Sequence, residues 1–305
     1  MTMLRKYCCD LSRLSRLARN SNRLVAILGI VVFPIVVGAS TGRERLLDMQ
    51  PLVVSYYWPI ARENGNPMDF TMTSPNIIDV LSSDAHGSRE VRAYWRKRGK
   101  VLLNRVYPFR KYATEEEVYE YFATNMVGAD GISIDEVVAH RLTSERQRML
   151  ISVLRRLRAA FPDQLIFVWD ASRWSAETAL LAQGVRDYCD VVMLEVYRLQ
   201  GPQDFRAFER RRSIIERYAP GIRTKTLIGI GDDKKTCMST DKTCVQRLEA
   251  QVRFLGSVRQ SADLRGVAIY APIYFTIDGQ QVLDKAIREA FGVNGASREG
   301  DSLRP

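Results

Sequence analysis

The hydrophobic pattern of the chain alternates between short, nearly continuous apolar runs and longer amphipathic stretches. Eight apolar runs predict β-strands at residues 52–58, 76–81, 101–107, 131–136, 165–170, 191–196, 226–230 and 266–270. Amphipathic stretches after the later runs predict helices, among them 143–161, 176–188, 205–218, 244–257 and 280–291. Because apolar strands separated by helices are typical of a parallel sheet with helices on its faces, the pattern predicts an α/β protein.

The number of strand–helix units favours one α/β architecture over another. Eight units within residues 40–293 fit a closed (β/α)8 barrel of the TIM type better than an open doubly wound sheet. The front of the pattern is weaker, since residues 59–75 contain Asn64-Gly65-Asn66-Pro67 and show no clear helix. No linker divides the barrel region, and the tail at 294–305 is polar and is expected to fray.

Residues 1–39 have the composition of an export signal. Six basic residues, against the single acid Asp10, precede an apolar run at 24–37 that only Gly29 and Pro34 interrupt. Val37 and Ala39 match the small-residue pattern of a cleavage site before Ser40. A bilayer span takes about 20 apolar residues, so the run is short for a transmembrane helix. The sequence therefore predicts an exported protein, secreted or periplasmic, and leaves open a membrane anchor through residues 24–38.

The charge of the barrel region argues against nucleic acid as a partner. The formal net charge is +10, of which residues 1–39 contribute +5, so the barrel region is only mildly basic. Its basic clusters, at 155–156 and 210–212, lie in helical patterns, where a solvated outer face explains them better than a nucleic-acid site.

Cys237 and Cys244 flank a short polar segment and could pair in an oxidising compartment, which leaves Cys189 as a buried thiol.

Two predicted strands end in carboxylates. The segment GISIDEV carries Asp135 and Glu136 at the end of the fourth strand, and Glu195 ends the sixth. Side chains alternate along a strand, so Asp135 faces the barrel interior if Ser133 does, and the same parity places Glu195 inward. Since an isolated buried carboxylate is costly, acids at such positions indicate a functional cleft at the carboxyl ends of the strands.

Paired carboxylates are typical of glycoside hydrolysis, in which one protonates the leaving oxygen and the other activates water or attacks the sugar. We therefore take Asp135 and Glu195 as candidate catalytic residues, without assigning which is the acid. Aromatic rings pack against the apolar faces of sugars, although each one taken singly also fits an ordinary core position. The candidate substrate-binding residues are Trp58, Asn104, Arg105, Glu136, Trp169, Asp170, Tyr197 and Tyr270.

Other chemistries fit the sequence less well. His86 and His140 are its two histidines, which excludes a three-histidine metal site within one chain, and no nucleophile elbow or phosphate-binding loop is present. A Mg²⁺ or Ca²⁺ site formed by Asp135, Glu136 and Asp170 is an open alternative, but the spacing of these three residues is not specific to a metal site. No cofactor is predicted. A Schiff-base aldolase needs a lysine at a strand end, and Lys225 lies at the wrong end of its strand.

The arrangement of these motifs resembles the endo-alpha-1,4-polygalactosaminidase family of barrel hydrolases. The resemblance lies in the segment GADGISID at 128–135, which ends the fourth strand, and in Leu194-Glu195 on a later strand. The chain is also similar to the chitinase strand motif DGxDxDxE, but Ser133 and Val137 stand where that motif has acids. The resemblance implies a glycosidase acting on a polysaccharide or oligosaccharide outside the cell. The alternative is a non-catalytic barrel of the cell envelope that binds a glycan.

Overall fold

The computed structural model describes residues 43, 46, 49, 51–57, 72–81, 88–108, 114–197, 199, 201–231, 242–270 and 277–293. The chain divides at Ala39 and Ser40 into two units, and all described residues belong to the second. The export segment at 1–39, most of the weakly patterned front at 59–75 and the tail at 294–305 lie outside the described residues. Within the described part, no helix is long and apolar enough to cross a membrane.

Eight parallel strands close into a barrel in sequence order, as the pattern predicts. The final pairing joins the first strand to the last, with Leu52 opposite Gly266 and Ser55 opposite Ile269. The strands are β1 Leu52–Tyr57, β2 Ile77–Leu81, β3 Val101–Val106, β4 Gly131–Val137, β5 Leu165–Asp170, β6 Val191–Glu195, β7 Thr226–Ile230 and β8 Gly266–Ile269. The (β/α)8 architecture is therefore confirmed, including the second strand.

Helices cover the outside of the barrel. They are α1 Ser88–Lys97, α2 Glu115–Met126, α3 Ser144–Ala160, α4 Ala179–Tyr188, α5 Pro202–Tyr218, α6 Lys242–Val258 and α7 Ile277–Phe291. The last five match the predicted helices to within a few residues, whereas α1 and α2 were not singled out by the pattern. The start of α2 is fixed by a capping box, in which Thr114 and Glu117 satisfy each other's backbone N–H groups.

The core has two layers because side chains alternate across each strand. One layer fills the barrel interior and includes Leu52, Leu103, Phe167 and Met193. The other lies between the strands and the helices and includes Ile132 and Ile134. The predicted parity of β4 and β6 is thus the observed one, with the isoleucines of β4 facing the helices.

Two glycines allow the strands to approach closely at the amino end of the barrel. A Cβ atom at Gly131 would lie 2.1 Å from the carbonyl oxygen of Leu165, and one at Gly266 would lie 1.9 Å from that of Leu52. Any larger residue would clash with backbone that cannot move without opening the barrel. Both glycines are the first residues of their strands, so they set the strand spacing without weakening the strand centres.

The cysteines divide into one bonded and one free thiol among the described residues. Cys244, at the start of α6, is buried and disulfide-bonded, and its predicted partner Cys237 lies outside the described residues. Cys189 is buried and free, as the sequence predicts. Burial raises the pKa of the Cys189 thiol to about 12, which makes it a poor nucleophile.

Candidate active site

A charged chain runs through the carboxyl end of the barrel interior. Arg105 on β3 and Asp79 on β2 are both fully buried, and Nη2 of Arg105 lies 3.2 Å from Oδ1 of Asp79. The indole N–H of Trp169 donates to Oδ2 of the same carboxylate at 2.8 Å. Because an unpaired buried charge is costly, these two contacts explain how Arg105 is held beneath the mouth of the barrel.

Asp135 lies directly above Arg105. Its Oδ2 atom is 3.9 Å from Nε of Arg105 and accepts a hydrogen bond from the Tyr56 hydroxyl at 3.3 Å, while Oδ1 accepts from the backbone N–H of Glu136 at 2.8 Å. Burial raises the pKa of Asp135, and the positive charge of Arg105 opposes that rise. Burial also raises the pKa of Tyr56 far above its ordinary value, so its hydroxyl stays protonated and acts as a donor.

The backbone beside Asp135 is irregular. The pairing of β4 with β5 shifts between Ile134 and Val137, so that Asp135 and Glu136 together stand opposite Trp169. Glu136 has a φ of 57°, in the left-handed region that side chains other than glycine rarely adopt, and its side chain is exposed. A bulge of this type redirects side chains and is common beside active sites. It separates the two adjacent acids, with Asp135 pointing inward and Glu136 toward the solvent.

Glu195 ends β6 and is the second acid of the mouth. Burial raises its pKa to about 8, and the nearby carboxylates of Asp135 and Asp170 contribute to the rise. The Tyr197 hydroxyl and the charge of Arg211 offset part of it. Glu195 is therefore protonated at neutral pH, whereas Asp135 has a cation and two donors that favour its charged form.

Asp170, at the end of β5, holds the surrounding backbone in place. Its fully buried carboxylate accepts from the backbone N–H of Ser172 and from the indole N–H of Trp174, each at 2.9 Å. Arg211 of α5 lies 3.5 Å from the same carboxylate and donates to the backbone carbonyls of Asp170 and Glu195. Through these bonds Arg211 joins the ends of β5 and β6, which fixes the position of Glu195. The structure thus places Asp170 behind the mouth, where its oxygens are already occupied.

Aromatic rings form one side of the mouth. Tyr270 contacts Tyr56 edge to face with ring centroids 4.7 Å apart, and it packs against Tyr197 at 5.3 Å. Gly231 allows this packing, because a Cβ atom there would lie 2.9 Å from both Tyr197 and Tyr270. Tyr197 is 40% exposed, so its ring can meet a ligand. Trp169 is fully buried and lies beneath the mouth rather than in its wall.

The prediction of Asn104 as a substrate contact needs correction. Arg105 faces the interior, so its neighbour on the strand faces the helices. Asn104 donates to the backbone carbonyl of Asn125 at 2.6 Å and accepts from Arg92 at 2.9 Å, which ties β3 to α2 and α1. It therefore cannot contact a ligand in the mouth. Trp58 lies outside the described residues.

Three residues of the site were not among the sequence candidates. Asp79 was not recognised because it interrupts the apolar run of the second strand, but the alternation of Ile77 and Asp79 on one face was a readable signal. Tyr56 follows from the same alternation on β1, in register with Asp79. Arg211 belongs to a basic cluster on a helix, and no local pattern distinguishes it from its neighbours.

The arrangement can perform proton transfer on a bound ligand. It offers two buried carboxyl groups at the mouth of one barrel, of which Glu195 has a pKa raised to about 8 and Asp135 lies beside a cation, with tyrosine rings beside them. Among the described residues, no group of three or more metal-ligating side chains occurs. Two carboxyl groups at one site are the groups that acid–base catalysis commonly uses.

No protein-family model matches the sequence, and no curated protein matches it. The fold is similar to that of many solved structures. One is an endo-beta-N-acetylglucosaminidase from Cordyceps militaris, with a TM-score of 0.57, 12% identity and coverage of 81% of this chain and 94% of that chain. A chitinase from Bacteroides thetaiotaomicron gives 0.56 and 13%, covering 82% and 99%. The spore cortex-lytic enzyme SleL from Bacillus cereus gives 0.57 and 9%, covering 81% and 76%. At these identities the similarity establishes the (β/α)8 fold.

Proposed function

We propose that the protein is a glycoside hydrolase that uses Asp135 and Glu195 as its catalytic pair. The observation that carries this proposal is the contrast between their surroundings at one barrel mouth. Glu195 is buried near two other carboxylates, which raises its pKa to about 8. Asp135 contacts Arg105, the Tyr56 hydroxyl and a backbone N–H. Different surroundings of two acids at one site are the usual basis for dividing acid and base roles between them.

The roles follow from these contacts. Glu195 carries a proton at neutral pH and donates it to the leaving glycosidic oxygen. We assign Asp135, which lies beside the cation of Arg105, the role of base or nucleophile, in which it activates water or attacks the anomeric carbon. Tyr56 keeps Asp135 in its orientation, and Arg211 keeps the end of β6, and with it Glu195, in place.

The proposed catalytic pair, Asp135 and Glu195, differs in position from the acids of the chitinase strand motif. That motif carries its acids on the fourth strand, two residues apart, whereas here Val137 occupies the last acidic position and is 1% exposed. Ser133 is buried in the interior beside Asp79. Since there is no acid at 137, we assign the role of proton donor to Glu195 on β6.

The substrate that we propose is a polysaccharide or oligosaccharide containing amino sugars, located outside the cell or in its envelope. Support comes from the exposed ring of Tyr197, packed against Tyr270, which suits the apolar face of a sugar. Further support comes from similar structures described as a chitinase and an endo-beta-N-acetylglucosaminidase. The resemblance to endo-alpha-1,4-polygalactosaminidases points to the same class of sugar. The signal-like segment at 1–39 supports export, with or without an anchor.

A second candidate function is glycan binding without hydrolysis. The observation that favours it is the fold similarity to YKL-39, whose structures were solved in the presence of chitooligosaccharides. Glycan binding alone does not explain why Asp135 and Glu195 have different surroundings, so we rank this function second.

The two functions are separated by measuring binding and bond cleavage together. Full-length protein is incubated with chitin, chitosan, polygalactosamine and neutral glucans, and both polymer retention and the release of reducing ends are recorded. Hydrolase function predicts new reducing ends from at least one amino-sugar polymer, with Glu120→Gln, an exposed acid of α2 outside the site, as a matched control that keeps activity. Retention on a polymer without any new reducing ends would replace the proposal by the binding function.

A further inference from the structure

A large cavity lies at the amino end of the barrel, away from the candidate active site. Its volume is about 1180 Å³. Asp163, Asp190, Lys225 and Arg265, which line it, precede β5, β6, β7 and β8 within two residues of each strand's start. Its described lining holds three acids and the five cations Arg43, Arg212, Lys225, Arg259 and Arg265.

Some of these charges are already neutralised within the protein. Asp190 accepts from Arg43 at 3.0 Å and from Arg158 at 2.6 Å, so it is engaged by two arginines. Arg212 is fully buried and is bound by Thr226, Glu209 and the carbonyls of Ala262 and Asp263. Arg212 is therefore part of the scaffold of this end of the barrel.

Two other cations have donors to spare. Lys225 donates to the carbonyls of Arg186 and Cys189, which leaves its third ammonium proton available to a ligand. The half-buried Arg265 guanidinium makes no hydrogen bond or salt bridge in the part of the chain that the structure describes. Burial lowers the pKa of both side chains, and Arg158 and Arg43 lower that of Lys225 further; the Asp190 carboxylate, which two arginines already engage, offsets part of the fall. Cations kept together with too little counter-charge destabilise the empty cavity and are stabilised by an incoming anion.

We propose that this cavity is a binding site for a phosphate-type oxyanion, with Arg265 and Lys225 as its main ligands. The planar guanidinium of Arg265 can donate two parallel hydrogen bonds to such a group, and Lys225 adds a point charge. The cavity is far larger than a phosphate ion, so it accommodates a phosphate that carries further groups. That chemistry is shared by a soluble phosphorylated ligand and by the headgroup of an anionic lipid.

The test measures anion binding by the full-length protein. Calorimetric titration with inorganic phosphate and with pyrophosphate is carried out on the wild type, Arg265→Gln and Arg265→Lys. The matched control is Arg206→Gln, which removes one exposed arginine from α5 outside the cavity. The Arg265 side chain makes no hydrogen bond or salt bridge with the residues that the structure describes, so its variants are expected to fold, and circular dichroism verifies this. Binding is expected to weaken about tenfold in Arg265→Gln, less in Arg265→Lys and not at all in Arg206→Gln.

A vesicle experiment identifies the source of the phosphate. The same proteins are sedimented with phosphatidylcholine vesicles, with and without phosphatidylglycerol. Extra binding to anionic vesicles that is lost in Arg265→Gln but kept in Arg206→Gln supports the site with a lipid headgroup as ligand. Pyrophosphate binding that depends on Arg265, without vesicle binding that does, supports it with a soluble ligand. The proposal is overturned if neither anion binds and vesicle binding is equal in the two variants, or if Arg265→Gln binds pyrophosphate as the wild type does.

Discussion

Asp79 and Arg105 form a salt bridge of 3.2 Å in which neither side chain has any exposed surface. The bridge lies below Asp135, whose carboxylate is 3.9 Å from Nε of the same guanidinium. One arginine thus lies between two carboxylates, one engaged in the interior and one at the mouth. Its positive charge also stacks over the ring of Tyr56, which donates to Asp135. The state of Asp135 therefore depends on Asp79, although Asp79 itself is out of reach of a ligand.

Replacing Asp79 with asparagine tests this dependence. The change leaves Arg105 without its buried counter-charge, so the free energy of unfolding is expected to fall by about 3–5 kcal/mol. It also removes a negative charge that raises the pKa of Asp135, so that pKa is expected to fall. Chemical denaturation measures the first effect, and carbon-13 NMR titration of the Asp135 carboxyl measures the second.

The matched control for this prediction is Asp187→Asn. Asp187 pairs with Arg186 on the surface, where 46% of its side chain is exposed, so the cost is expected to stay below about 1 kcal/mol. Equal stability losses in the two variants, or an unchanged Asp135 titration in Asp79→Asn, would show that Arg105 is not shared between the two acids.

Glu195 makes the stability of the fold depend on pH in a predictable direction. Its pKa is about 8 in the folded protein and 4.5 in a free glutamate. Between those values the folded state holds a proton that the unfolded state has lost, so this group lowers stability as the pH rises from 4.5 to 8. Glu195→Gln cannot ionise and removes the contribution. Its stability relative to the wild type should therefore increase steadily across that range.

The control is Glu120→Gln, which removes an exposed carboxyl of α2. Thermal unfolding of the three proteins is compared from pH 4.5 to pH 8. If Glu195→Gln and Glu120→Gln follow the wild type in parallel, then Glu195 titrates like an ordinary surface acid, and its assignment as the proton donor is lost.

Substitutions of Asn104 and Tyr197 are expected to have opposite effects on stability and on KM. Asn104→Ala loses hydrogen bonds to Asn125 and Arg92, which should lower the free energy of unfolding by about 1–3 kcal/mol, while the KM for a glycan stays the same. Tyr197→Ala removes an exposed ring, which should raise KM with little effect on stability. Denaturation and steady-state kinetics on each variant measure both quantities. A higher KM in Asn104→Ala would mean that β3 presents the opposite face to the mouth.

Gly231→Ala probes the aromatic side of the mouth. The added methyl group would lie 2.9 Å from Tyr197 and from Tyr270, so these rings must move apart. We expect weaker glycan binding, measured by calorimetry with the best oligosaccharide, and a change in near-ultraviolet circular dichroism from the displaced tyrosines. Wild-type affinity in this variant would show that the two rings do not contact the ligand.

Much of the fold could be predicted from hydrophobic periodicity. The strand sequences are apolar on both faces because each strand is buried between the interior and the helices, and this makes all eight readable. Helix α1 was not singled out, since SREVRAYWRK is mostly polar and Trp95 is its one buried residue among those whose burial is described. Its position depends on tertiary packing that a local pattern does not contain.

The candidate site could be predicted less completely from the sequence than the fold. Asn104 and Arg105 are both predicted as ligand contacts, but neighbours on a strand face opposite sides. The alternation that places Asp135 inward on β4 therefore allows only one of these two residues of β3 to face the interior. The alternation on β2 marks Asp79 as facing the interior, but its role is not readable from β2 alone because its partner Arg105 lies on another strand. The bulge that turns Glu136 outward depends on the register of β4 against β5, which no single strand reveals.

The measurement that tests the central claim most directly compares two leaving groups in Asp135→Asn and Glu195→Gln. Rates are measured on the amino-sugar oligosaccharide that the wild type cleaves and on the matching nitrophenyl glycoside, whose leaving group departs without a proton. If Glu195 is the acid and Asp135 the base or nucleophile, Glu195→Gln loses cleavage of the oligosaccharide but keeps that of the nitrophenyl glycoside, and Asp135→Asn loses both. Wild-type rates on the oligosaccharide in either folded variant would contradict the account.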